Sequence, residues 1–359
     1  MIPLLYRAEG EGNEPYVVRL GSGDVADHRD AIVVEHDLDG VTFAGQRGIV
    51  FVEGGDPNEL VGDVVLVDPA TGTLERLIRR GSQHNTLLVT ERCDQLCVMC
   101  SQPPKKHHHD RFALFEEACL LAEPGAVIGI SGGEPTLYKA ELFALIEKSF
   151  EQRPDLEFHV LTNGQHFTGE DIERLRRAAY RNVCWGIPLY AASAALHDEI
   201  VGKSGAFTRL NESLACLLLA GARIELRTVV LTSNAAELPR LARLVTTRLQ
   251  FIGSWSIMQL ENIGFARNRW GSLFFDHGRD FAPVAQALDL ALLFGIDVRL
   301  FNFPACSVPA AYRHLAEPSI SDWKRKFAGA CGDCSAQSRC SGFFEWHPET
   351  DMQAMARAI

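Results

Sequence analysis

Asn85–Cys100 reads NTLLVTERCDQLCVMC, and the fold turns on this stretch. Its opening, NTLLVT, is a short apolar run rich in β-favouring residues, the pattern of a buried strand. Cys93, Cys97 and Cys100 follow at a C-x3-C-x2-C spacing. The thiolates therefore belong to a loop leaving the C-terminal end of a strand, the rim where α/β folds assemble their sites. Three thiolates in one short loop suit a soft metal centre, zinc or iron–sulfur. A closed structural zinc site takes four ligands, and no further Cys or His follows before His107. Three protein ligands on an iron–sulfur cluster leave one iron open to bind another molecule.

Outward from the loop, the 359 residues suffice for a sizeable core. Length alone suggests roughly two to three domains. The net charge of −11 argues against a nucleic-acid partner held by phosphate neutralisation. No apolar run is long enough to cross a bilayer, and the opening MIPLLYRAEGEG is no signal peptide. A cytoplasmic location, without a membrane partner, is the expectation. Of ten cysteines, seven fall into two spaced groups, and in a reducing compartment such groups bind metal more often than they form bridges. Cys119, Cys184 and Cys216 stand apart in apolar runs and read as core thiols.

Residues 1–83 differ from the rest. The runs YVVRL, AIVVEH, GIVFV and DVVLVD alternate with Gly, Asp and Pro turn signals, and DPATGTLERLIR reads as a hairpin. This predicts a β-rich N-terminal domain with no catalytic constellation. Over residues 84–303 strand and helix alternate. NTLLVT, AVIGIS, EFHVLT, NVCWGIPL, RIELRTVVL and SWSIMQL are the strands. Helices are expected over Arg111–Ala122, Leu137–Glu151, Gly169–Tyr180, Phe207–Ala220, Ala235–Arg248 and Phe281–Phe294. Six βα units imply a parallel sheet and an open, partial (βα)6 barrel, whose open side admits a substrate as large as a peptide. VRLFNF at Val298–Phe303 offers an additional strand before a cysteine-rich extension over residues 304–359.

Further motifs share the rim. Ser131-Gly132-Gly133-Glu134-Pro135 follows the second strand. Paired glycines let backbone amides approach a ligand, and a carboxylate suits an ammonium group. The same residues also read as a plain helix-starting turn with Pro135 near its first position. Thr162-Asn163-Gly164 follows the third strand and reads alternatively as an Asn-Gly turn. Arg227 lies among apolar residues in IELRTVV, as a paired arginine or as an anion ligand. Glu261, just past the sixth strand, is a candidate to anchor substrate or to pair locally. His107-His108-His109 cannot all face one ion and reads as a solvated loop. In the tail, Cys306, Cys331, Cys334 and Cys340 are spaced C-x24-C-x2-C-x5-C, enough thiolates to close a cluster or a zinc site.

The C-x3-C-x2-C loop, GGEP and TNG together resemble the radical S-adenosylmethionine (SAM) superfamily. The resemblance implies a [4Fe–4S] cluster on Cys93, Cys97 and Cys100 with SAM on its open iron. It further implies contacts of Gly132, Gly133 and Glu134 with the methionyl amine, Thr162 and Asn163 beside the cofactor, and Arg227 on the SAM carboxylate. Met99 stands where the superfamily usually carries an aromatic residue near the adenine. Its thioether is polarizable enough to pack there. The implied reaction is one-electron cleavage of SAM to methionine and a 5′-deoxyadenosyl radical, fed by a reducing electron donor, with the protein positioning the reactants and excluding water.

The tail resembles a short SPASM/twitch extension holding one auxiliary [4Fe–4S] cluster, with zinc as the alternative that spacing leaves open. ERCDQLCVMCSQPPK, FNFPACSVP, SISDWK and CSAQSRCSGFF together resemble the His-Xaa-Ser system radical SAM maturases. That nearer resemblance implies a ribosomally made precursor peptide with His-Xaa-Ser repeats as substrate, and allows a second maturase as partner. Arsenosugar-pathway enzymes have similar tails, so a small-molecule substrate stays open. A zinc-binding scaffold is the reading from a different class.

Overall fold

The computed structural model describes residues 2–23 and 25–359. The N-terminal strands are β1 (Leu5–Gly10), β2 (Tyr16–Gly21), β3 (Asp30–His36), β4 (Gly40–Gly45), β5 (Gly48–Glu53), β6 (Val64–Asp68) and β7 (Thr73–Ile78), with the short helix α1 (Pro57–Leu60) between β5 and β6. β1 pairs antiparallel with both β5 and β7, so the sheet closes into a barrel and leaves no free edge. Period-two alternation sends Val18 and Leu20, Val41 and Phe43, Val50 and Val52, and Val65 and Val67 into one apolar interior. The β6–β7 hairpin turns where the Asp68 carboxylate accepts from the Ala70 and Thr71 amides at 3.1 and 3.3 Å.

The second body is built from β8 (Thr86–Thr90), α2 (Phe112–Leu121), β9 (Val127–Gly132), α3 (Lys139–Gln152), β10 (Glu157–Leu161), α4 (Ile172–Leu175) and β11 (Val183–Pro188). It continues through α5 (Ala194–Val201), α6 (Ala206–Ala220), β12 (Arg223–Val230), α7 (Leu238–Arg248), β13 (Ser254–Gln259), α8 (Trp270–Leu273), α9 (Ala282–Leu293), β14 (Val298–Phe301) and β15 (Ala316–Glu317). The strands form one eight-stranded parallel sheet in sequence order from β8 to β15, and its two end strands do not pair. This is an α/β fold with an open sheet. It carries two strands more than the six βα units expected: β14 lies in VRLFNF, and β15 is too short, at two residues, to leave a periodic trace.

Two helical expectations need correction. The helix expected over Gly169–Tyr180 is broken into 3-10 turns around the four-residue α4. Its side chains make tertiary bonds instead: Arg174 grips Glu147 through two 2.8 Å contacts, and the Asp171 carboxylate accepts from Lys139 Nζ at 2.7 Å. The helix α5 was not expected. It is short and ends at Gly202, whose φ of +64° suits glycine.

The sheet's two faces differ in kind. Toward the helices it presents Ile128, Ile130, Val160, Trp185, Ile187, Leu226, Trp255 and Ile257, all fully buried in one apolar core. The register places Gly129, Ser131, His159, Gly186, Glu225, Arg227 and Ser256 on the opposite face. Those small and polar side chains leave the inside of the curled sheet hollow. The N-terminal barrel meets this body through Arg47, which donates to Glu117 at 2.6 Å, and Arg111, which donates to Glu75 at 2.9 Å. The tail adds the two-residue strands β16 (Arg325–Lys326) and β17 (Phe343–Phe344) and the helix α10 (Glu349–Met355). No helix among the described residues is long and apolar enough to cross a membrane.

Candidate active site

The loop after β8 is fixed by its backbone before any side chain acts. Leu96 and Val98 N–H groups donate to the Val201 and Ile200 carbonyls at 3.1 and 2.9 Å, tying the loop to the end of α5. Lys105 N–H closes it onto Glu91 O at 2.9 Å, and Phe265 N–H reaches Cys100 O at 2.8 Å. Two glycines permit these approaches. A Cβ at Gly202 would lie 2.5 Å from Leu96 O, and one at Gly264 would lie 2.2 Å from Cys100 O.

Cys93, Cys97 and Cys100 are half-buried and line one cavity of about 540 Å³. Met99, Gly132, Gly133, Thr162, Asn163 and Arg227 line the same cavity, so the expected cofactor residues converge, with one exception. Glu134 is fully buried and is not among the lining residues. Its carboxylate accepts from the Thr136 amide at 2.8 Å, the Thr162 hydroxyl at 2.6 Å, the Thr136 hydroxyl and the Asn163 amide. Burial pushes this carboxyl up, while the four donors pull it down. Its side chain thus joins the β9 and β10 loops.

The glycine pair packs closely on backbone. A Cβ on Gly133 would lie 2.1 Å from Arg92 O, and one on Gly132, where φ is +144°, would lie 2.1 Å from Thr90 O. Gly133 and Glu134 amides donate to Thr90 O and Arg92 O, both at 2.8 Å. The glycines bring two loops together and also border the cavity.

Asp94, unnoticed in the sequence, organises the cysteine loop. It accepts from Asn163 Nδ2 at 2.8 Å, pairs with Lys203, and lies 3.2 Å from His166 Nε2. Burial opposes its ionisation, but the His166 and Lys203 contacts outweigh it and hold the carboxyl well below the usual range. Its place beside Cys93 was the available signal. Lys203 is 109 positions away and carried none.

Arg227 proves to be a paired arginine that also reaches the cavity. Its Nη1 donates to both oxygens of buried Glu225 at 2.9 Å. His159 Nε2 lies 2.6 Å from the same carboxylate, and Ser256 donates to it. Burial works to raise the Glu225 carboxyl, yet Arg227 and His159 hold it at about 2. Gly186 makes the meeting possible, since a Cβ there would lie 3.0 Å from His159 Nε2 and 3.2 Å from Arg227 Cδ.

Glu261 pairs not locally but across the cavity, with Lys324 Nζ 3.3 Å from both carboxylate oxygens. Burial raises its carboxyl. Of the three histidines, His108 stacks on Tyr138 at 3.8 Å between ring centres, while His107 and His109 are exposed.

Cys306, Cys331, Cys334 and Cys340 line a second, much smaller cavity. Cys340 Sγ accepts from the Ala305 and Gly342 amides at 3.2 and 3.3 Å, an arrangement suited to a metal-bound thiolate. β17 separates the two cavities: Phe343 faces the four-cysteine space and Phe344 the central one.

The donor chemistry suits clusters at both places. Burial, foremost, pushes the Cys93 thiol up to about 11 and the Cys97 thiol to about 12, and the nearby Asp94 carboxylate adds to both. They are not the activated thiols of a nucleophilic site, and ionising them needs a cation in contact. Among the described residues no three His, Cys, Asp or Glu side chains converge tightly enough for a single ion.

Residues 87–245 match the sequence model of the radical SAM superfamily. The cofactors of that superfamily are a [4Fe–4S] cluster and SAM. Over 154 residues the chain is 29% identical to GTP 3′,8-cyclase of Nautilia profundicola, covering 40% of this chain and 46% of that protein. It is 27% identical over 159 residues to AdoMet-dependent heme synthase of Methanosarcina barkeri, covering 42% and 44%. The chain thus spans less than half the length of these curated relatives. Solved structures similar to it include Streptococcus suis SuiB bound to S-adenosylmethionine, at TM-score 0.49 and 14% identity over 60% of this chain and 49% of that one. Another is anSMEcpe with bound AdoMet, at TM-score 0.44 and 14% identity over 60% and 62%.

Proposed function

We propose that the radical SAM domain makes this chain a peptide-modifying enzyme, which reductively cleaves SAM and acts on a ribosomally synthesised precursor, a His-Xaa-Ser repeat peptide by the nearer resemblance. The observation that carries the cofactor half of this reading is the shared cavity of about 540 Å³. It places three cysteines, a buried thioether and an arginine around a volume ordinary for a small ligand. When bound, SAM and the reduced cluster supply a 5′-deoxyadenosyl radical for hydrogen abstraction. The chain's part is to hold and to exclude water. Cys93, Cys97 and Cys100 hold the cluster in a loop locked by Asp94. Met99 packs against the adenine, with Leu260 and Ile200 behind it. Thr162 and Asn163 border the cofactor. Arg227, oriented by Glu225, offers its remaining N–H groups to the SAM carboxylate. Glu134 positions the loops.

The tail cysteines Cys306, Cys331, Cys334 and Cys340 are assigned an auxiliary [4Fe–4S] cluster, supported by their shared cavity and the two amides on Cys340. A cytoplasmic reducing donor is the implied partner. The open side of the sheet supports a peptide substrate. A small-molecule substrate is the second reading, favoured by the ordinary size of the cavity and by relatives named for GTP and heme chemistry. Co-expression with a short His-Xaa-Ser repeat peptide tests the choice: a mass change in the peptide that needs Cys97 supports the maturase, and an unaltered peptide beside active SAM cleavage rejects it. Cys97→Ala is expected to abolish 5′-deoxyadenosine formation under dithionite, and continued turnover would disprove the site.

A further inference from the structure

We propose that the corner of the central cavity formed by Gln259, Glu261, Asn302, Ser319 and Lys324 is a subsite for a peptide group of the substrate. The idea rests on the cavity being where substrate meets SAM, and adds what part of the substrate is gripped, and by which residues. All five residues line the cavity, on the β13, β14 and tail side, away in sheet order from the cysteines at β8.

Gln259 is the informative residue. It ends β13 and is 4% exposed, yet its Oε1 has no hydrogen-bond partner among the described residues. A buried carboxamide without a partner is costly in a fold, and such groups mark places where a ligand completes the bonding. Beside it, Asn302 is the one non-glycine described residue with positive φ, at +67°. That backbone state is held by Ser319, whose hydroxyl accepts from the Asn302 amide at 2.7 Å and lies 3.3 Å from Asn302 Oδ1. Ser319 is itself anchored, its amide donating to Ser341 Oγ at 3.2 Å. Held strain of this kind clusters where a surface is pre-shaped for binding.

The corner's charge selects the ligand class. Glu261 and Lys324 face each other at 3.3 Å and neutralise one another, and the Lys324 ammonium also lies 5.0 Å from the centre of the Phe344 ring. A free carboxylate or ammonium on the substrate would have to break that pair. The Asn302 carboxamide is engaged by Ser319 Oγ and by the Gln259 carbonyl, 3.5 Å from its Nδ2; what remains unused is Gln259 Oε1, beside an apolar floor of Phe301 and Phe344. A peptide group, with one N–H, one C=O and a flat apolar edge, fits this set. A nucleotide phosphate or a carboxylate does not.

The test uses N-acetylalanine methylamide, an uncharged probe with two peptide groups, on the full chain carrying its clusters and SAM. Saturation-transfer NMR should show millimolar binding to the wild type. Gln259→Leu should weaken it by about 3- to 10-fold, the span of one neutral hydrogen bond. Asn302→Gly, which keeps the backbone conformation and removes the side chain, should weaken it similarly and serves if the leucine variant folds poorly. Melting temperature and iron content report folding. Absence of binding, or equal binding in all three proteins, overturns the proposal. A peptide of four His-Ala-Ser repeats is the second probe. If the diamide binds in a Gln259-dependent way while the repeat peptide neither binds nor changes mass, the subsite stands and the His-Xaa-Ser reading falls.

Discussion

Replacing Gly133 by alanine tests whether the glycine turn serves the cysteine loop or a ligand. An alanine Cβ would sit 2.1 Å from Arg92 O, 2.5 Å from Arg92 C and 3.0 Å from Glu91 C. These are backbone atoms, one residue from Cys93, and no rotamer change moves them. Restoring an ordinary 3.4 Å contact requires about 3.4 − 2.1 = 1.3 Å of displacement at the Arg92 carbonyl. That carbonyl accepts the Glu134 amide at 2.8 Å, so the bond is strained or lost. Overpacking costs about 1–3 kcal/mol, and the backbone hydrogen bond adds about 1 kcal/mol. The expected destabilisation is therefore about 2–4 kcal/mol. Its effect on the site is larger, because an error of about 1 Å in positioning costs on the order of 100-fold in rate. Gly133→Ala should melt several degrees lower, and its 5′-deoxyadenosine rate under dithionite should fall by about two orders of magnitude after anaerobic reconstitution. Gly169→Ala is the control, since a Cβ there meets nothing within 4 Å. Wild-type melting and turnover in Gly133→Ala would refute the loop-packing role. Weakened SAM binding at unchanged melting temperature would return the glycine to the ligand.

Two further outcomes follow from the polar interior and the tail. Glu225 is held at about 2 against an unfolded value near 4.3, so its pairing with Arg227 and His159 contributes stability above the unfolded value. That contribution is lost as pH falls from about 5 toward 2, and Glu225→Gln should flatten the melting profile across this window. A profile as steep as the wild type's would show that the acid sensitivity lies elsewhere. Cys334→Ala should lower iron from about eight to about four atoms per chain and cut product formation more than SAM cleavage. Finding zinc instead by elemental analysis, or iron unchanged, would reject the auxiliary cluster.

The strands were legible because their core-facing positions are apolar, as at Phe158 and Val160 on β10 and Val183, Trp185 and Ile187 on β11. The cysteine groups were legible because ligand spacing survives in sequence. What the motifs did was less legible than where they lay. GGEP looks the same whether or not its glycines pack on a neighbouring backbone, and only the 2.1 Å distances reveal that packing. Asp94 drew no notice because its partners Asn163, His166 and Lys203 come from other segments. Glu261 read as local for the same reason: Lys324 is 63 residues further along. Helix α4 failed as an expected long helix because tertiary bonds from Arg174 and Asp171 outweigh local propensity.

The hollow interior had a signal that continuous-strand reading discards. A parallel sheet covered on both faces should be apolar at odd and even positions alike. Here seven positions on one face depart from that rule: Gly129 and Ser131 on β9, His159 on β10, Gly186 on β11, Glu225 and Arg227 on β12, Ser256 on β13. One such position is an edge or a paired charge. Seven in register across five adjacent strands cannot all be edges. Glu225 and Arg227 pair with each other on this face, and Gly129, Ser131, His159, Gly186 and Arg227 border the cavity. The alternation therefore encodes the cavity as directly as the cysteines encode the metal, and it does so on the strands whose loops carry the glycine turn, Thr162 and Asn163.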